Sequence, residues 1–582
     1  MYLSVKNIIM QTIFFLFGLL ISVCGISQTN SINKNGWTDY NKNGRKDVYE
    51  NKDEPVEKRV NDLLSQMTLE EKFWQLFMIP GDLDKADSTQ YSNGIFGLQV
   101  SAVAQGDAAG QMLNYHAGEN ALSLAKKINS IQKYFTEKTR LGIPVIAFDE
   151  ALHGLVRQGA TSFPQAIALA ASFDTSLMHK VANAIADETK ARGIRDILSP
   201  VINIAGDVRW GRVEETYGED PFLTSAMGVA FVSAFERKNI ITTPKHFIAN
   251  VGDGGRDSYP IHFNERLLDE IYFPPFISCI QKGGSRSVMT AYNSADGIPS
   301  SSNSWLLQQK LKKDWGFKGF VISDASATGG DIVLHYTARN YGEAGANAIN
   351  NGLDVIFQTQ YGQYKSFLPS FKDGRIDIKN IDEAVSRVLK AKFELGLFED
   401  PYTSEKEAEL WVNNTGNKPL ARQAARESVV LLKNARLPGQ DNYTLPLSRK
   451  IKTIAVIGEE AIAARLGGYS GPGNGKINIL DGIKERAGPG INVFFAEGAG
   501  IKVKEWNVVP AEYLFTSLNG EQGLRGEYFN NLTLSGEPTV TRTDRNIDFL
   551  WTISSPDKKI RPDYYSIRWT GKLKAPQTGH LK

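Results

Sequence analysis

The chain has 582 residues, a mass of 64.3 kDa and a formal charge of +2, from Lys+Arg 66 against Asp+Glu 64. Hydrophobic residues at 42% and charged residues at 22% exclude disorder as the main state, and the balanced charge asks for neither nucleic acid nor an anionic membrane as partner. Two cysteines exclude a disulfide scaffold and a thiolate zinc cluster.

At the N-terminus, Lys6, the apolar run Ile8–Val23 and the small residues around Gly25 and Ser27 read as a secretory signal over residues 1–27. The run is short for a bilayer span and is broken by Gly18 and Ser22. Cys24 follows Val23, where lipid attachment requires a smaller residue. The mature protein is therefore expected to be secreted or periplasmic and free of the membrane. Its one remaining cysteine, Cys279, is expected to be a buried apolar side chain.

Residues 28–55 read as a linker holding one motif. Asp39, Asn41, Asn43, Asp47 and Glu50 fall at positions 1, 3, 5, 9 and 12 of a calcium loop, with Gly44 at the turn position. The alternative is a solvated Asn/Gly-rich segment, because no helix is predicted before the loop.

Residues 56–400 read as one domain, in which the stretch from Gly94 to Phe357 repeats short Val/Ile-rich runs, each followed by an amphipathic stretch. The runs are Ile143–Phe148, Ile197–Ile202, Ile240–Thr243, Ser287–Ala291, Phe320–Ser323 and Leu353–Phe357. Helix starts are marked by Asp220-Pro221, Asn264, Asn303 and Asn380. Strands alternating with helices predict an α/β fold with a parallel sheet, closed as a TIM-type (β/α)8-like barrel; an open doubly wound sheet is the alternative. Residues 401–419 read as a polar linker. Residues 420–515 read as a second α/β sandwich domain, incomplete, with a helix over residues 420–434 and a strand over Thr453–Gly458. The glycine-rich stretch Gly467–Gly475 lacks nucleotide-binding spacings. Residues 516–582 read as the start of a β-sandwich module, with strands expected at Leu524–Phe529, Ile547–Trp551 and Tyr565–Trp569.

In a parallel barrel, side chains at the strand C-termini share one face. Reading each strand end gives Asp149-Glu150, Arg209 and Arg212 a little downstream, Lys245-His246, Tyr292 and Asp324. Carboxylates and cations each able to hold two hydroxyls suit a neutral polyhydroxylated ligand, and one carboxylate can attack an oxocarbenium-like centre. Plainer readings stand beside these. Asp324 would also cap a helix, Lys245 and His246 would also pair with Asp257 or Glu214, and Tyr292 would also be barrel packing.

Five stretches carry a specific resemblance: Asp149–Gly154, Arg209–Glu214 with Tyr217–Pro221, Pro244–Phe247, Met289–Asn293 and Gly316–Asp324. From about Val56 through the second α/β segment the chain resembles glycoside hydrolase family 3, the β-glucosidase and β-xylosidase type. The final β part resembles the protective-antigen-type module that some members insert into their second domain. The resemblance implies that Asp324 is the catalytic nucleophile and that Glu150, Arg212, Lys245, His246, Arg256 and Tyr292 bind the terminal sugar. It implies a retaining exo-β-glycosidase that needs no organic cofactor, with terminal β-D-glucosyl residues the first expectation. β-Xylosidase activity is the alternative within the family, and a sugar-binding protein without turnover is the alternative outside it.

Three departures bear on substrate. Ala325 stands where many β-glucosidases have Trp. Glu150 stands where they commonly have Asp, and the longer acid would crowd a 6-hydroxymethyl group. Asp257-Ser258-Tyr259 resembles the Asp-Ser-His loop of the N-acetylglucosaminidase branch but lacks its histidine. The resemblance also implies an acid/base Glu beyond the inserted module. Glu459, Glu460 and Glu497 match no such position, so a truncated form of a longer enzyme is expected, weakest on substrates with poor leaving groups.

Overall fold

The computed structural model describes residues 32–575, except 35, 84–88, 104–113, 116–117, 252–256, 437–438, 440–442, 449, 500–507, 550, 552–554 and 562–563. The expected signal and Arg256 lie outside the described residues.

Eight short parallel strands build the N-terminal part: β1 (Phe77–Gly81), β2 (Gly97–Val100), β3 (Ile146–Asp149), β4 (Asp196–Ile197), β5 (Ile241–Thr242), β6 (Ser287–Met289), β7 (Phe320–Ile322) and β8 (Ile356–Phe357). The order β8-β1-β2-β3-β4-β5 is hydrogen-bonded throughout, and β6 pairs with β7. Parallel bridges Phe247–Thr290 and Ile322–Val355 join the two pieces. The circle is therefore closed, and the open sheet is excluded. Burial on both faces explains why these strands read as unbroken apolar runs. Neighbouring backbones approach closely: a Cβ on Gly97 would lie 2.0 Å from the Ile146 carbonyl oxygen, so only glycine fits there.

Helices wrap the outside: α1 (Ala121–Lys138) after β2, α2 (Thr175–Ala191) after β3, α3 (Pro221–Glu236) after β4, α4 (Tyr341–Asn350) after β7 and α5 (Ile378–Glu394) after β8. In α1, Leu124, Ile128, Ile131 and Phe135 form the buried stripe. The Asp220 side chain caps α3 by accepting from Leu223 N at 2.6 Å, with Pro221 first in the helix. Asn264 and Asn303 accept from Leu267 N and Leu306 N at 2.9 and 3.1 Å, as expected of caps. Asn380 does not cap. It lies inside α5, whose cap is Asp377, and its amide turns instead to Asn350 at 3.1 Å. Cys279 is fully buried.

The polar stretch 401–419 lies against the barrel. Thr403 N donates to Asn129 at 2.8 Å, and Ala408 in the short helix Glu405–Glu409 is buried. The helix expected over 420–434 spans only Lys418–Glu427 (α6). The β-branched pair Val429-Val430 ends the favourable helical run, and Val429, Val430, Leu431 and Leu432 are exposed. Strands β9 (Thr453–Ile457) and β10 (Asn492–Ala496) pair in parallel, with α7 (Ile479–Ala487) covering Val456 through Leu480. The last part centres on β11 (Leu524–Phe529), flanked antiparallel by β12 (Val540–Asp544) and β13 (Ser566–Thr570). The strand expected at Ile547–Trp551 does not form over residues 547–549. Phe549 instead stacks on Trp551 and Trp569, at centroid distances of 4.3 and 6.1 Å.

Candidate active site

The C-terminal ends of β3 to β7 converge on Asp324. This residue follows β7 by two positions, and its side chain is 8% exposed. Its Oδ1 accepts from Ala325 N at 2.7 Å, which aims the other oxygen across the barrel mouth. That atom, Oδ2, lies 3.4 Å from His246 Nε2 and accepts no hydrogen bond from the described residues. His246 is set by Asn203, whose Oδ1 lies 2.8 Å from both the backbone N and the Nδ1 of the histidine. The Tyr292 hydroxyl donates to Ala325 O at 3.0 Å, which places the phenol beside the same carboxylate.

Two charged groups flank Asp324. The Lys245 ammonium donates to both oxygens of Glu150 at 2.7 and 2.9 Å. Lys245 pairs with neither Asp257 nor Glu214 in the described contacts. Arg212 is fully buried and grips Glu215 through two hydrogen bonds of 2.9 and 2.8 Å, with Asp257 at 3.5 Å. Arg209 turns outward to Asp207. Asp149 is also excluded from the mouth, held by Arg157 and by Gln99 at 3.0 Å. The cluster thus sorts the strand-end residues into those that face the mouth and those that brace it.

Burial holds the Asp324 carboxyl above the usual carboxylate range, and the charges of Arg212 and then Lys245 limit the rise. Burial likewise pushes Glu150 up to about 7, against the attraction of Lys245. A buried carboxylate whose charged form two cations favour, with one oxygen that accepts no hydrogen bond from the described residues, is equipped to attack an electron-poor carbon.

One residue of the site was not foreseen. Tyr469, in the glycine-rich stretch of the second α/β segment, reaches over the barrel mouth. Lys245 Nζ lies 5.0 Å and the Arg212 guanidinium 5.6 Å from its ring centroid. The loop is pinned to the barrel top at several points. Gln165 donates to the Leu466 and Gly468 carbonyls at 2.9 and 3.0 Å, and Gly468 N donates to Glu214 at 2.9 Å. His153 Nδ1 donates to the Phe163 carbonyl at 2.7 Å, and its Nε2 lies 2.8 Å from the Ser470 hydroxyl, which also reaches the Leu466 carbonyl at 2.9 Å. Gly467 takes a φ of 87°, which favours glycine, and a Cβ there would also fall 2.1 Å from the Gln165 amide nitrogen.

A family model described as the glycosyl hydrolase family 3 N terminal domain matches residues 68–391. The chain belongs to glycosyl hydrolase family 3. A PA14 domain model matches residues 520–581, which fits a family 3 chain carrying an extra β module. A β-xylosidase of Formosa agariphila is 34% identical over 420 residues, covering 65% of this chain and 56% of that protein. A periplasmic β-glucosidase of Salmonella typhimurium is 33% identical over 462 residues, covering 76% and 56%. The chain thus spans little more than half the length of these family 3 relatives. Among solved structures, a β-glucosidase from Erythrobacter marinus superposes with a TM-score of 0.69 at 31% identity, covering 78% of this chain and 60% of that one. No helix among the described residues is long and apolar enough to cross a membrane.

Proposed function

We propose that this chain carries the sugar-binding and nucleophilic part of an exported, retaining exo-β-glycosidase. The observation that carries the reading is Asp324: a buried carboxylate directly after a barrel strand, flanked by Arg212 and Lys245, with Oδ2 free of hydrogen bonds from the described residues. In the proposed reaction Oδ2 attacks the anomeric carbon as the bond to the leaving oxygen breaks. That oxygen departs with the electron pair and takes up a proton. Water then displaces the carboxylate from the same carbon, and two inversions give retention. Glu150, Lys245, His246, Arg212 and Tyr292 are proposed to hold the hydroxyls of the terminal sugar, and Arg256 is proposed from the family resemblance alone. Glu459, Glu460 and Glu497 are exposed on the second segment, and none is assigned as proton donor.

Terminal β-D-glucosyl residues are the first reading. Glu150 favours a second, β-D-xylosyl, because the longer acid, tied to Lys245, would crowd a 6-hydroxymethyl group. Dinitrophenyl β-glucoside and β-xyloside run side by side test the whole proposal, since their leaving group departs without protonation. Hydrolysis of at least one is expected, and the variant Glu150→Asp should shift the rate ratio toward the glucoside by roughly tenfold. A protein that binds the sugars and releases no phenolate would be the binding protein instead.

The pinned loop makes His153 a positioning residue. The variant His153→Ala is expected to raise KM by roughly tenfold through displacement of Tyr469, with a smaller loss in kcat. A fall in kcat at constant KM would contradict that role.

A further inference from the structure

Far from the barrel mouth, the N-terminal loop Asp39–Glu50 has features that the glycosidase reading does not use. Its two end carboxylates are both buried, Asp39 at 3% and Glu50 at 6% exposure. Asp39 Oδ2 accepts from Gly44 N at 3.1 Å, which turns the carboxylate across the loop, and Gly44 takes the positive φ of 77° that a sharp turn requires. The other oxygen, Oδ1, is buried with no hydrogen-bond partner among the described residues. Asp39 pairs with Lys34, 3.8 Å from Oδ2 and 35% exposed, and Lys42 adds a Coulombic attraction while its ammonium is turned to the Tyr40 and Thr139 carbonyls.

The remaining donor groups converge on the same turn. The amides of Asn41 and Asn43 both reach Asp47 Oδ2, at 2.5 and 2.8 Å. Glu50 bridges the two limbs, accepting from Tyr40 N at 2.6 Å and from Asp47 N at 3.0 Å. Among the described residues no three His, Cys, Asp or Glu side chains form a metal cluster. Asp39, Asp47 and Glu50 are thus not gathered into such a cluster; they alternate with the amides of Asn41 and Asn43, and the Arg45 carbonyl completes the spacing. Such an all-oxygen set suits a hard cation that accepts six or more ligands.

We propose that this loop binds one calcium ion through Asp39, Asn41, Asn43, the Arg45 carbonyl, Asp47 and Glu50, and that the ion is structural. The side chains inside the loop fasten it to the barrel end opposite the site. Tyr40 packs edge-on against Phe398 at 5.6 Å and donates to its carbonyl. Tyr49 OH donates to Leu141 O at 3.3 Å, and Lys42 Nζ donates to Thr139 O at 2.5 Å. Residues 139–141 lead into the N-terminal end of β3, whereas Glu150 follows its C-terminal end. Calcium would neutralise the buried acids and lock this clamp, so binding stabilises the folded state.

The full chain stripped with EGTA and titrated with calcium chloride tests the proposal by calorimetry and thermal unfolding. One ion is expected to bind with a Kd of about 10⁻³ M or tighter. The Tm should rise by at least about 2 °C at saturation, and magnesium at the same concentration should do less. Terbium luminescence excited through Tyr40 and Tyr49 should appear and be displaced by calcium. Glu50→Gln should weaken calcium binding by on the order of tenfold or more, and the milder Asp47→Asn should weaken it less. Neither heat nor a Tm change in the unmodified chain at millimolar calcium would overturn the proposal. So would calcium binding that both variants leave unchanged, which would place the ion elsewhere.

Discussion

Asp324→Asn is expected to lower the turnover of dinitrophenyl glycosides by at least roughly a thousandfold while leaving the fold intact. The amide keeps the size of the carboxylate and can still accept from Ala325 N, the bond that orients it. It cannot form the covalent ester. Sugar binding should survive, because Glu150 and Lys245 remain paired. The smaller variant Asp324→Gly should recover turnover with added azide. Azide would attack the anomeric carbon from the face that Asp324 occupied, the phenolate would leave with the electron pair, and the product would be the α-glycosyl azide. Turnover of Asp324→Asn within tenfold of the unmodified chain would remove Asp324 from the reaction.

Arg212→Met should act on stability and on pH dependence together. Arg212 and Glu215 are both buried and share two hydrogen bonds, so losing the guanidinium leaves Glu215 without its partner. Breaking a pair of this kind costs about 3–5 kcal/mol. The double variant Arg212→Met/Glu215→Leu removes the stranded charge as well and should recover much of that loss in urea unfolding. Activity should not follow. Asp324 must be ionised to attack; burial raises its carboxyl, and Arg212 is the largest influence opposing that rise. Without Arg212 the carboxyl rises further. The acidic limb of kcat/KM should therefore move to higher pH in both variants, with the rate falling more at pH 5 than at pH 8. Recovery of stability with an unmoved acidic limb would mean that Arg212 braces the barrel without tuning Asp324.

The barrel was legible because its strands are buried on both faces. Ile143–Phe148 and Phe320–Ser323 read as apolar runs for the same reason that β3 and β7 form where they do. β1 was not read, because Met78-Ile79-Pro80-Gly81 carries a proline and a glycine that argue against a central strand. β12 was missed for the opposite reason: Val540-Thr-Arg-Thr-Asp544 has too little apolar alternation, although Asp544 is buried and accepts from Tyr528 and Trp569. Strand-end reading also located most of the mouth, since Glu150, Tyr292 and Asp324 stand within three residues of a strand end. Their roles, however, came from motif resemblance and not from position. Tyr469 lay beyond that method because its place depends on how a second segment docks. The stretch Gly467–Gly475 lacks the spacing of nucleotide loops. Its glycine density around a single tyrosine instead reflects a loop pressed flat against Gln165 and Arg157.

The proposed reaction turns on one covalent bond, between Asp324 and the anomeric carbon of the sugar. A 2-deoxy-2-fluoro glycoside with a dinitrophenyl leaving group slows the release of that intermediate enough to trap it. After incubation and proteolysis, mass spectrometry is expected to find one fluorosugar on the peptide containing Ile322-Ser323-Asp324, with none in Asp324→Asn. A label on any other peptide, or the same label in Asp324→Asn, would contradict the account.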